Sequence, residues 1–236
     1  VVRVGELTLN NVTISDNTAQ YYGGGIFVED TLTLNRTIVS GNSANGGDEV
    51  YVYSGTYGSG TAAANNFNLF GHSGISNAAA FTNFAPGATD ITATSNGTEP
   101  TALSAILDAL ADNGGPTTPA TQTHALDPGS PALDRAPNAS CTAAPVNGVD
   151  QRGEPRNRNA VGGVTNNECD VGAFERAGSA AATGFYLSAS GSGAVGGMAF
   201  APGDIIKFTP AGGQVVVSAA RNASGGMVLS VKDNGP

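Results

Sequence analysis

Thirteen residues near the start of the chain, LTLNNVTISDNTA (Leu7–Ala19), return 25 positions later as LTLNRTIVSGNSA (Leu32–Ala44). Leu7 and Leu32, Leu9 and Leu34, Asn10 and Asn35, Ile14 and Val39, Ser15 and Ser40, and Asn17 and Asn42 fall in register. A unit this short cannot bury its own apolar face. Copies must stack so that each covers the next, which predicts a β-solenoid with one repeat per coil. Leu7, Leu9, Val12 and Ile14 alternate with polar residues except at Asn10-Asn11, where the alternation breaks. That pattern is two short strands meeting at a corner, apolar side chains inward, with Asn supplying the left-handed backbone a corner needs. Stacking sets Asn10 over Asn35 and Asn17 over Asn42, where side-chain amides can form hydrogen-bonded ladders.

A third strand per coil follows a glycine run, as Ile26-Phe27-Val28 and then, 24 positions on, Val50-Tyr51-Val52. Ile38 breaks the pattern, because it stands where Thr13 faces out, and is expected to be partly exposed or covered by a loop. A degenerate further coil is expected around Asn66–Gly71. Residues 1–97 therefore read as coils of a parallel β-helix, with 72–97 mostly loop or irregular coil. Residues 98–176 read as a capping region. Within it PTALSAILDALA (Pro100–Ala111) carries Leu103, Ile106, Leu107 and Leu110 at helical spacing, which predicts one short helix closing the open end of the solenoid. Residues 177–183 read as a linker, and 184–236, with alternating runs such as Val215–Val217 and Met227–Val231, as a partial small all-β module.

Ten Lys and Arg against 19 Asp and Glu give a net charge of −9. This argues against nucleic-acid partners, which need clustered positive charge, and against docking on anionic membranes. No apolar run approaches the ~20 residues needed to cross a bilayer. The chain opens inside a strand-like run without Met, so further coils are expected before Val1. The two cysteines, Cys141 and Cys169, lie in one loop-rich segment and are expected to form a disulfide in an oxidising compartment, the alternative being two separate thiols.

The segment ADNGGPTTPATQTHALDPGSPALD (Ala111–Asp134), then Asp150-Gln-Arg-Gly153 with Pro155-Arg156, then Cys169-Asp-Val-Gly-Ala-Phe-Glu175, resembles the bacterial choice-of-anchor Q family. Gly23-Gly-Gly-Ile26 and Ile14-Ser-Asp-Asn17 are similar to repeats of polymorphic outer-membrane proteins. The resemblance implies a large secreted or surface protein with a right-handed parallel β-helix, extracellular or on the bacterial cell surface. It implies no catalytic residues.

Candidate site residues fall into four sets. Asp112, His124, Asp150, Arg152, Asp170 and Glu175 read as a structural polar network of the cap, since Arg–carboxylate pairs can fix a loop-made segment with a small core. Asp16, Glu29 and Asp30 are the carboxylates that a polysaccharide lyase or glycoside hydrolase, the enzymatic alternative, would draw on in the repeat region. No cofactor is expected. Calcium is the ion left open, since it needs only oxygen ligands and Asp16, Glu29, Asp30, Asp48 and Glu49 lie at turns. Tyr21, Tyr22, Tyr51, Tyr53 and Tyr57 cluster near one turn and strand as a glycan-stacking platform. The preferred reading is a non-catalytic, adhesin-like display protein whose partners are extracellular glycans or surface proteins.

Overall fold

The structure, a computed structural model, describes residues 5–55, 58–115, 121–156 and 168–177, and the backbone of six strands within 185–233. The chain divides into two units, Val1–Gly178 and Ser179–Pro236. It is an all-β protein with few helical turns.

In the first unit the repeat becomes parallel pairing. The first pass of the chain supplies β1 (Glu6–Asn10), β2 (Thr13–Ile14) and β3 (Ile26–Val28), and the second supplies β4 (Thr31–Asn35), β5 (Ile38–Val39) and β6 (Val50–Val52). Leu7 pairs with Leu32, Ile14 with Val39, and Ile26 with Val50, all parallel. A hairpin of β7 (Ser54–Gly55) and β8 (Gly58–Ser59) lengthens the third pass before β9 (Thr61–Ala64), β10 (Leu69–Phe70), helix α1 (Asn77–Ala80) and β11 (Phe81–Thr82). Thr31 therefore pairs with Thr61 and Ile38 with Leu69, and the repeat is no longer visible by eye. Strand β12 (Ile91–Thr92) adds one further row. Three small parallel sheets result, ordered β1-β4-β9, β2-β5-β10-β12 and β3-β6-β11.

The corner between the first two sheets is set by one residue per pass with positive φ: Asn11 at 52°, Arg36 at 50° and Phe67 at 56°. The left-handed conformation costs a non-glycine residue about 1–2 kcal/mol. Ladder bonds hold it: Asn11 N–H donates to the Asn35 carbonyl at 3.0 Å and Arg36 N–H to that of Asn66 at 2.8 Å. Asn35 Nδ2 donates to Asn10 Oδ1 at 3.0 Å and Asn66 Nδ2 to Asn35 Oδ1 at 2.8 Å, so the expected amide ladder extends over three passes. Asn17 Nδ2 likewise donates to Asn42 Oδ1 at 3.0 Å.

Among the described residues there are two main apolar cores. Between the sheets lie Val28, Leu32, Leu34, Val39, Val50 and Phe70. Phe70, Phe81 and Phe84 meet edge to face with centroids 5.2–6.1 Å apart and fill the interior of the third pass. The second core sits on the outer face of the β2-β5-β10-β12 sheet. There Ile38, Leu69 and Ile91 are covered by Ile106, Leu107, Leu126, Leu133, Val171 and Phe174. Ile38 is thus wholly buried. It breaks the alternation because its sheet is covered on both faces. Gly172 packs so tightly that a Cβ there would lie 2.7 Å from Ile38 Cδ1, and its φ of +95° independently favours glycine.

The capping region differs from expectation in two respects. Pro100–Ala111 is not a helix: a single 3-10 turn at Leu103–Ala105 leads into β13 (Leu107–Asp112), antiparallel to β14 (Gln122–Leu126). Only Ile106 and Leu107 of the apolar stripe are buried, while Leu110 is 54 % exposed. No single helical face was therefore being covered, and pairing with β14 satisfies the backbone instead. The region also lies along the flank of one sheet, through the second core, rather than across an end of the stack. It continues through β15 (Ala136–Pro137), α2 (Asn138–Thr142) and β16 (Glu168–Cys169), with β15 antiparallel to β16. Cys141 and Cys169 form a disulfide across 28 residues, packed with Ala136 and Phe67.

The second unit contains β17 (Phe185–Tyr186), β18 (Gly193–Val195), β19 (Met198–Phe200), β20 (Ile205–Ile206), β21 (Val215–Arg221) and β22 (Met227–Asp233), paired antiparallel as β17-β20, β18-β19 and β21-β22. After Ala177, the expected linker 177–183 lies outside the described residues.

Two stability measurements check this arrangement. Ile38→Ala should cost about 2–4 kcal/mol in urea unfolding, as a buried truncation does, whereas a partly exposed residue would cost well under 1. Removing the disulfide by Cys141→Ala with Cys169→Ala should cost about 3–4 kcal/mol, the loop-closure value for its span.

Candidate functional site

Alternation along β3 points Phe27 outward between the buried Ile26 and Val28, and Tyr51 does the same on β6. The two residues are register partners, so their rings stack at 5.3 Å with planes 13° apart. Tyr22 joins through a bridge to Gly46, where any Cβ would approach its ring at 3.2 Å, and its ring lies 4.7 Å from Tyr51. Tyr53 completes the strip at 6.3 Å from Phe27. Of the expected platform, the strip brings Tyr22, Tyr51 and Tyr53 together. Tyr21 is the next residue, and Tyr57 lies outside the described residues. Stacking within the strip covers ring faces of Tyr51 and Phe27. The open rings are Tyr21, 62 % exposed, and Tyr22, 52 % exposed. Phe27 was missed, although the 24-residue offset to Tyr51 placed it there.

A second feature lies at the next corner of the first pass. Asp16 has a positive φ of 58° and a side chain 64 % exposed, and its Oδ2 lies 3.9 Å from Nε2 of the nearly buried His124 on β14. His124 Nδ1 is 2.8 Å from the carbonyl of Asp108 on β13. These residues, with Ser15, Leu103, Ser104 and Leu107, line a groove of about 460 Å³. At the pass-two equivalent of Asp16, Gly41, a Cβ would strike Leu103 at 2.7 Å. Glu29 and Asp30 do not join Asp16, since they lie at a different corner, between β3 and β4, where Asp30 Oδ2 accepts from Gly5 N–H. Asp16, Glu29 and Asp30 therefore form no common carboxylate cluster.

The cap residues form a buried ionic network. Asp150 Oδ2 accepts from Arg152 Nε at 2.9 Å and Nη2 at 2.7 Å, and from Glu175 N–H at 3.0 Å. Arg152 also donates to the carbonyls of Asn113 and Glu175 and lies 3.7 Å over the Phe174 ring. Asp170 accepts from the backbone of Asp134 and Arg176, and donates its own N–H to Glu175 Oε2 at 3.0 Å. Arg156, absent from the expected set, is buried beside Glu175 at 3.6 Å and donates to the carbonyls of Val149, Asp170 and Gly172. Burial lowers its pKa, opposed by the nearby carboxylates Glu175, Asp150 and Asp170. Two expected members stand apart from this network: His124 lines the groove, and Asp112 only caps a turn through Gly114 N–H.

Glu49 is a wholly buried carboxylate outside the expected cap and catalytic sets. Glu49 accepts from Gly41 N–H, Asn42 N–H and Asn42 Nδ2 at 2.8, 3.3 and 2.7 Å, extending the Asn17–Asn42 ladder into the interior. Burial raises its pKa to about 7, against these hydrogen bonds. Burial likewise raises Asp170 to about 7. Glu49 therefore turns away from the surface, where a turn-bound calcium would need it. Among the described residues, no group of three or more His, Cys, Asp or Glu side chains is placed to hold a metal ion, and no helix is long and apolar enough to cross a membrane. Comparison with family models, curated proteins and solved structures finds no match to this chain.

A carboxyl whose folded pKa lies above its unfolded value favours the folded state most below the unfolded value, and that contribution is lost as pH rises through the folded one. For Glu49 the window runs from 4.5 to about 7. Melting temperature should therefore fall less between pH 5 and pH 8 in Glu49→Gln than in the parent. An unchanged difference would show that Glu49 is already ionised at pH 5.

Proposed function

We propose that the first unit is part of a right-handed parallel β-helix from a secreted or cell-surface bacterial protein of the choice-of-anchor Q type, and that its role is non-catalytic display of a glycan-binding surface. The three parallel ladders support the architecture, since each of the first three passes contributes one strand to each sheet. The disulfide fits an oxidising compartment. The observation that carries the binding role is the exposed Tyr21–Tyr22 pair, backed by the ring of Tyr51. Sugar rings present C–H faces that pack on aromatic faces, and rigid rings lose little entropy on contact. Tyr22 is held by Tyr51 and Gly46, so its orientation is set before a ligand arrives.

Calorimetry against a panel of neutral and charged oligosaccharides tests this. A member of the panel should bind, and Tyr21→Ala with Tyr22→Ala should weaken it about tenfold or more, while the melting temperature stays near that of the parent. Binding that ignores both substitutions would place the contact elsewhere, and turnover of a polysaccharide would favour the enzymatic alternative.

A further inference from the structure

We propose that the groove between the Asp16 corner and the β13–β14 hairpin accepts a primary ammonium group, carried by an amino-sugar unit of a glycan. This rests on the glycan-binding reading above and names the class of sugar.

The hydrogen-bonding inventory selects the ligand. The carbonyl of Asp108 can only accept, so His124 Nδ1, 2.8 Å away, donates to it, and in that Nδ1–H tautomer Nε2 is an acceptor. Asp16 Oδ2 is also an acceptor, and at 3.9 Å from Nε2 the two are too far apart to bond to each other. A ligand atom between them must donate two hydrogens. An alcohol has one and a primary ammonium has three. A nitrogen about 2.8 Å from each acceptor would see them about 90° apart, within the bend that hydrogen bonds tolerate. Asp108 lines the same groove, and among the described residues no Lys or Arg does, so the local field also favours a cation.

The surroundings favour a sugar over a lysine side chain. Leu103 and Leu107 give the groove an apolar wall, Ser104 adds a hydroxyl, and about 460 Å³ is more than a butyl stem fills. From Asp16 the chain runs through Asn17, Thr18 and Gln20 to Tyr21 and Tyr22, all exposed. Those six steps span at most about 21 Å, the length of a short oligosaccharide. One glycan can therefore lie along the first pass with its amine in the groove and a neighbouring ring on Tyr22.

The test is calorimetry of the full 236-residue chain with three hexasaccharides of the same linkage: glucosamine, N-acetylglucosamine and glucose. Asp16→Asn serves as the groove variant, since Asn tolerates positive φ, and Tyr22→Ala as the platform variant. The glucosamine hexamer should bind about tenfold tighter than the other two. Asp16→Asn should erase that preference without changing affinity for the neutral hexamers, and Tyr22→Ala should weaken all three. Equal affinities for all three hexamers would overturn the ammonium site and leave the glycan reading intact. Binding of none would overturn both. A lysine-rich peptide that binds with the same Asp16→Asn sensitivity, while the glucosamine hexamer does not, would overturn the sugar assignment in favour of a protein partner.

Discussion

The outward row Thr13, Ile38, Leu69 and Ile91 on the β2-β5-β10-β12 sheet is the constraint on which the rest of the first unit depends. The inward row, Ile14, Val39, Phe70 and Thr92, faces the interior of the stack. A sheet apolar on both faces must be covered on both. The stacked passes cover one side themselves, and the segment after residue 100 covers the other. Ile106, Leu126, Val171 and Phe174 bury the outward row. The anchoring bonds follow the same line: Gly172 N–H donates to the Arg36 carbonyl at 2.8 Å, and Ala173 N–H to Thr13 Oγ1 at 3.0 Å. The groove at Asp16 and His124 arises where this flank ends against the corner of the first pass.

Covering a sheet with irregular chain buries polar groups, and each needs a partner. In the passes the solution is repetition, with Asn10, Asn35 and Asn66 bonding one another and Asn17, Asn42 and Glu49 forming a second chain. In the flank there is no repeat, and the solution is charge: Arg152 and Arg156 together satisfy five backbone carbonyls while pairing with Asp150 and Glu175. Buried ion pairs add little net stability but make the loss of one partner costly. Their role here is to fix one path for a loop-rich segment, which the disulfide then fastens to itself.

Much of the first two passes was legible because a repeat states its own register: Leu7 with Leu32 and Asn10 with Asn35 need no tertiary information. Ile38 was legible as an anomaly but not as a solution, because its cover comes from Val171 and Gly172, far along the chain. Leu103, Ile106, Leu107 and Leu110 fit a helical period, yet over so short a run helix and strand compete closely, and the partner strand at 122–126 decided. Phe27 could have been found from the offset to Tyr51. The meeting of Asp16 with His124 could not, because the two stand in separate, unrelated segments and only the placement of the hairpin joins them.

The most direct test of the covered outer face is a methyl-resolved nuclear Overhauser experiment on the isoleucines of the whole chain. Gly172 lies against Ile38 Cδ1, so a strong cross-peak should join the Ile38 δ1 methyl to the Gly172 α protons, and a soluble paramagnetic agent should leave that methyl unbroadened. A missing cross-peak with an Ile38 methyl broadened like a surface group would mean that the sheet's outer face is open to solvent and that the flank, its ionic network and the groove are not where this account puts them.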